Sequence, residues 1–215
     1  AMPLLFAAFM GFGFSESLSW RLCMVVVGSI CCLLGVVYFF ATQDTPAGNF
    51  SDLEPADSET STEEKPGFLA AAGDHRVWLL FAAYAACFGM TLTFNNIAAL
   101  YFRDFFGLSL KTAGLVAALY GGMNIFARSL GGFISDRTGL KWGLKGRVRF
   151  LMLMLLAEGI LLMLFSRVTI LPLAICSMAA FAVSVQMSEG ATFSVVPFIN
   201  RKAVGSVAGI VGSGG

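Results

Sequence analysis

Charge is what this sequence holds least of. Asp, Glu, Lys and Arg make up 13% of its 215 residues, roughly half the share of about 25% found in a soluble globular chain. So few ionised groups cannot build a water-facing surface, whereas lipid tolerates 57% hydrophobic residues and a mean hydropathy of +0.80. A basic excess is missing too: the formal net charge is +1, which argues against a nucleic-acid partner. The five cysteines, Cys23, Cys31, Cys32, Cys87 and Cys176, lie in apolar runs with no Cys-x-x-Cys spacing and no histidine nearby. They read as small buried hydrophobes and not as disulfide partners or metal ligands. The sequence has no metal-ligand cluster, nucleophile elbow or phosphate loop, so it reads as neither an enzyme nor a cofactor carrier.

What the chain does have is apolar runs along its whole length, which separates it from a secreted protein with one leading signal. Residues 1–14 read as the end of a helix. Full spans are expected over 20–41, 77–102, 112–134, 150–165 and 171–193, and a further one begins at 203. A bilayer core of about 30 Å needs roughly 20 helical residues, and these runs approach or exceed that, with 150–165 the shortest. The expected fold is therefore an all-α membrane protein. Both chain ends fall in apolar or glycine-rich sequence, as expected of a piece of something longer.

Residues 42–74 have a different character. Asp44, Asp52, Glu54, Asp57, Glu59, Glu63 and Glu64 stand there among Ser, Thr, Pro and Gly, and Asp74 closes the stretch. Such a composition buries too little apolar surface to offset its ordering entropy, so a mostly disordered linker between two helical groups is expected. Orientation is set by the basic residues. Arg137, Lys141, Lys145, Arg147 and Arg149 crowd one connection, and Arg201 and Lys202 lie in the next connection on that side. The opposite side holds Arg21, Arg103, Lys111 and Arg167. The crowded side should be cytoplasmic, and the linker with it, which puts the acceptor pattern Asn49-Phe50-Ser51 on the wrong face for glycosylation.

Arg128 is the most informative residue. It stands six positions before Ile134 among apolar and small neighbours, where insertion of a charge costs about 2.5 to 3.5 kcal/mol. It either faces a cavity where its planar fork binds an anion, pairs with Glu158, Glu189 or another helix, or snorkels toward the basic connection. Tyr84, Thr91, Thr93, Asn95 and Asn96 on one span, and Gln186, Ser188 and Glu189 on another, line a cavity or bond between helices. Glu158 and Glu189 are candidate proton carriers. Gly131 and Gly132 permit close helix approach, and Asp136 with Arg137 at the span end could form a conformation-dependent latch. Gly205 and Gly209 lie four apart, as on a small-residue face that allows close packing.

The run Asn124-Ile125-Phe126-Ala127-Arg128-Ser129-Leu130-Gly131-Gly132-Phe133-Ile134-Ser135-Asp136-Arg137 resembles the eighth helix and adjoining loop of the nitrate/nitrite porter family of the major facilitator superfamily. Within it, Gly132, Asp136 and Arg137 match the superfamily's cytoplasmic loop motif in its second-half copy. Residues 190–205 and the glycine-rich 205–215 resemble the end of the tenth helix and the nitrate signature of the eleventh. Residues 88–96 with Tyr101-Phe102 resemble helix seven. Trp20-Arg21 with the apolar span after them resembles helix six, and Met2-Pro3-Leu4-Leu5 resembles the end of helix five. The resemblance implies a major facilitator helical bundle, about half of a twelve-helix transporter. Residues 1–41 would close the first half, 42–74 link the halves, and 75–215 form most of the second. It further implies substrate contacts from Arg128, Tyr84 and Asn96, and a gate or packing face from Gly205, Gly209 and Gly212. The implied partners are nitrate or nitrite, protons and the bilayer of a plasma membrane, and an accessory membrane subunit stays open. The first-half arginine and first glycine-rich signature are not in this chain, so it is not expected to transport alone. Another small-anion transporter of the superfamily, or a non-transporting receptor or scaffold on the same fold, are the competing readings.

Overall fold

A computed structural model describes residues 2–42 and 68–215. The acidic residues of the expected linker up to Glu64, and Asn49, lie outside the described residues. The chain divides into two compact units, residues 1–63 and 64–215. All regular structure among the described residues is helical.

In the first unit, α1 (Met2–Gly11) packs on α2 (Glu16–Ala41). Ser15 starts α2 by accepting from the Leu18 amide at 3.4 Å, as an N-cap does for a donor with no partner within its own helix. Most side chains of α2 are exposed, including Leu33, Phe39 and Phe40. An apolar face this long is stable in lipid and not in water. Cys31 and Cys32 belong to that face, so two of the cysteines expected to be buried are exposed, as is Cys176, while Cys23 and Cys87 are buried. All five are free thiols.

The second unit begins with α3 (Phe68–Ala72), a short helix inside the region expected to be linker. Its Phe-Leu-Ala-Ala-Ala sequence has lost the linker's acidic and proline character, and Ala is the strongest helix former. Asp74 then caps α4 (His75–Phe106) by accepting from the Arg76 amide at 2.9 Å, and Gly107 ends it at φ 67°. A residue in the left-handed region closes a helix most cheaply when it is glycine.

From Leu110 to Phe165 the chain is helical through 56 residues, capped by Ser109. One span of that length would measure about 84 Å, far beyond a bilayer. The element, α5, is divided by Gly143, whose φ of 63° and ψ of −153° lie outside helical space. The two expected spans are therefore present as 110–142 and 144–165, about 50 Å and about 33 Å long. The basic connection between them is not an extended loop: helix continues on both sides of one glycine, which supplies a backbone conformation that side chains disfavour. Next come α6 (Leu171–Val195), with Pro172 in its first turn, a 3-10 turn (Val196–Phe198) and α7 (Val204–Gly212).

Helix α6 is the most enclosed, with half of its spanning stretch buried against 22% for α5. Two apolar clusters hold the unit together. Tyr84, Ala127, Met187, Ala191 and Val207 belong to one, and Cys87, Phe94, Tyr120, Met178 and Phe181 to the other. Within the second, the Phe94 ring stacks on Tyr120 with centroids 5.3 Å apart. Among the described residues, four helical elements, α2, α4, α5 with its two spans and α6 with its 3-10 extension, are long and apolar enough to cross a membrane, and the protein is a multi-pass membrane protein.

Candidate functional site

The site is built where α5 and α6 cross. A Cβ on Gly131 would overlap the Met187 backbone, and one on Gly190 would overlap the Arg128 carbonyl oxygen. Only glycine lets two backbones come this close. The contact fixes Arg128 and Glu189, the residue before Gly190, against each other. Arg128 Nη1 lies 3.2 Å from Glu189 Oε2, and Nη2 donates to the Tyr84 hydroxyl at 3.1 Å. Of the three arrangements open from sequence, the described residues show the pairing with Glu189.

Glu189 is fully buried, and its Oε1 accepts from the Thr91 hydroxyl at 2.7 Å. Arg128 is not enclosed to the same degree, its side chain being 35% exposed. A guanidinium carries five N–H donors in a fixed fork. Contacts to Glu189 and Tyr84 do not use all of these donors.

Aromatic rings frame that fork. Tyr84 stacks on Phe88 with centroids 5.5 Å apart and meets the Phe193 ring edge-on at 5.0 Å. Phe193 lies 5.9 Å from the Arg128 guanidinium carbon. The end of the glycine-rich run reaches the same wall: a Cβ on Gly215 would stand 2.7 Å from the Tyr84 ring and 2.8 Å from that of Phe88. A Cβ on Gly214 would meet the Phe81 carbonyl at 2.9 Å.

Arg128 and Tyr84 are thus brought together, while Asn96 is not. It lies twelve positions beyond Tyr84 on α4, about 18 Å along the axis, exposed, with its amide donating to the Leu92 carbonyl at 2.9 Å. Gly205, Gly209 and Gly212 leave open space: an added Cβ at any of them meets nothing within 4 Å. Gly205 and Gly209 are exposed on α7.

The loop motif forms a second cluster on the same two helices. Asp136 pairs with Arg147, from beyond Gly143. Arg147 also donates to the Ser194 carbonyl at 3.3 Å and lies over the Phe198 ring at 4.5 Å. Ser135 and Ser194 hydroxyls bridge the helices at 2.5 Å. Arg137 lies over Phe133 at 4.7 Å, and Gly132 faces the Gly190 carbonyl, 3.7 Å from where its Cβ would be. Phe88, Phe193 and Arg147 did not stand out in the sequence as individual participants. Phe88 falls four residues after Tyr84, a helical neighbour spacing that could have indicated it.

Comparison with known proteins identifies the family. The Major Facilitator Superfamily profile matches residues 1–215. The chain is 33% identical over 214 residues to "High affinity nitrate transporter 2.5" of Arabidopsis thaliana, covering 100% of this chain and 43% of that protein. It is 33% identical over 220 residues to "Nitrate transporter 2.1" of Chlamydomonas reinhardtii, covering 100% of this chain and 40% of that one. With "Nitrate/nitrite transporter NrtP" of Picosynechococcus it shares 32% over 208 residues, 92% of this chain and 36% of the relative. The chain therefore spans less than half the length of these relatives. No solved structure matches it. The chain belongs to the Major Facilitator Superfamily, and the relatives it resembles along nearly all of its length are transporters named for nitrate and nitrite.

Proposed function

We infer that this chain is part of a transporter that carries nitrate, and nitrite as a second substrate, into the cell together with protons. The observation that carries the reading is Arg128, an arginine within a membrane helix whose fork is oriented by Tyr84 and Glu189 and open on one side. Nitrate is planar and singly charged, and a guanidinium can bond two of its oxygens at once. The neighbouring Tyr84, Phe88 and Phe193 rings suit the flat faces of such an anion.

Entry of an anion against a negative interior works against about 2.3 kcal/mol per charge per 100 mV. Two or more protons per nitrate would reverse the sign of the charge moved, which favours proton coupling over passive entry. Alternating access would come from rocking two helical halves about a midplane site. Residues 1–41 would then belong to the first half and 75–215 to the second, in the plasma membrane.

Uptake of labelled nitrate by cells expressing the full-length protein tests this. Uptake should rise with an inward proton gradient and fall when unlabelled nitrite is added, while acetate should compete poorly. Flux unaffected by nitrite but blocked by carboxylates would transfer the site to a different anion. No flux under any gradient would favour a receptor or scaffold.

A further inference from the structure

The interior around Arg128 holds more acid than base. Glu189 and Glu158 are both buried, at 0% and 6% exposure. The groups facing Glu189 are Thr91 and Cys87 from α4, and Arg128, Tyr120 and Glu158 from α5. Among these, Arg128 is the single cation. Glu189 Oε1 has the Thr91 hydroxyl, but Oε2 accepts no hydrogen bond and has only the guanidinium 3.2 Å away. An anion that takes over the guanidinium would leave Oε2 charged, buried and without its counter-ion. Uncompensated charge in so dry a place is the costliest arrangement on offer, and a proton is the smallest remedy.

We propose that Glu189 is where anion and proton binding are coupled: it holds Arg128 while the site is empty, and takes up a proton when the anion displaces it. This rests on the anion-transport reading above. One negative charge arrives on the anion and one positive charge on Glu189 Oε2, so the charge of the site is unchanged. On release the proton leaves and the Arg128–Glu189 pair re-forms. Because coupling between two ligands is reciprocal, the proton strengthens anion binding by the factor with which the anion strengthens proton binding. Any further proton of the transport cycle would be held elsewhere, with Glu158 the nearest buried carboxyl.

The test is nitrate binding to the purified full-length protein, measured by calorimetry from about pH 5.5 to about pH 8.5. In the wild type, affinity should decline as pH rises, with Glu189 contributing a limiting slope of about tenfold per pH unit. Glu189→Gln should remove that contribution and hold affinity at high pH at or above the wild-type value. Glu158→Gln should keep it. A Glu189→Gln protein with the wild-type slope overturns the proposal, as does a slope lost in Glu158→Gln alone. If Glu189→Gln fails to accumulate, Glu189→Asp keeps the charge and changes its reach to Arg128. That variant must shift the pH at which affinity declines, and an unshifted profile overturns the proposal. Wild-type binding that is tight and independent of pH overturns the coupling role alone. Wild-type protein that binds nitrate at no pH overturns the transport reading and the proposal with it.

Discussion

An Arg128→Lys substitution in the full-length protein should weaken nitrate affinity by roughly ten- to a hundredfold while leaving the amount of protein at the membrane close to wild type. The charge is retained, and an ammonium can still pair with Glu189, so the buried carboxylate is not abandoned. What disappears is the planar fork, which holds Tyr84 and Glu189 in fixed directions while the site is empty and can offer two parallel N–H donors to an anion. A hydrogen bond to a charged group contributes about 1.5 to 3 kcal/mol, and one such bond lost from the anion accounts for the expected range. Tyr84→Phe should do less, about two- to tenfold, because it removes one neutral hydroxyl and keeps the ring that stacks on Phe88. Half-saturation and maximal rate of nitrate uptake, each compared after dividing uptake by surface abundance, separate the cases. Unchanged kinetics in Arg128→Lys would remove Arg128 from the binding site. Reduced abundance with normal kinetics in the surviving molecules would leave it a purely structural role.

Arg128 was legible in the sequence because a lone charge deep in an apolar run needs a compensating partner whatever the fold. Its partner was not: Glu158 and Glu189 are equally plausible by sequence, which does not set the register of one helix against another. The register came from Gly131 against Met187 and Gly190 against Arg128, close approaches across α5 and α6 that are tertiary facts. Helix positions were legible from the apolar runs, although the spans expected at 112–134 and 150–165 extend to 110–142 and 144–165. Which faces pair was not legible, because these helices are apolar nearly all round and have no single buried stripe. Phe193 carried no individual signal in a chain with 21 phenylalanines. The break at Gly143 was hidden for a similar reason. Gly139, Gly143 and Gly146 all stand in the basic connection, but only Gly143 has a positive φ.

Glycine therefore separates into two kinds here, and replacing it should give opposite results. At Gly190 an alanine methyl would coincide with the Arg128 carbonyl, a backbone atom that cannot rotate aside. The helices would have to separate, which for an overpacked core costs about 1 to 3 kcal/mol and would draw Arg128 away from Glu189. Gly190→Ala should thus lower membrane abundance about tenfold, and the molecules that remain should bind nitrate poorly. At Gly205 and Gly209 the same methyl meets nothing within 4 Å. Alanine is also the better helix former by about 1 kcal/mol per residue, so abundance should stay level or rise. Any loss of uptake in Gly205→Ala or Gly209→Ala must then come from a surface that closes on α7 during transport, as expected if the first helical half approaches that face to shut the cavity. Surface protein would be quantified for each variant and initial nitrate uptake divided by it. Normal uptake per molecule at Gly205 and Gly209 would end the gating idea and leave the open face of α7 without a role in the cycle. Equal loss of abundance at all three positions would mean that α7 is packed as tightly in the complete transporter as α6 is here, and that its glycines serve packing alone.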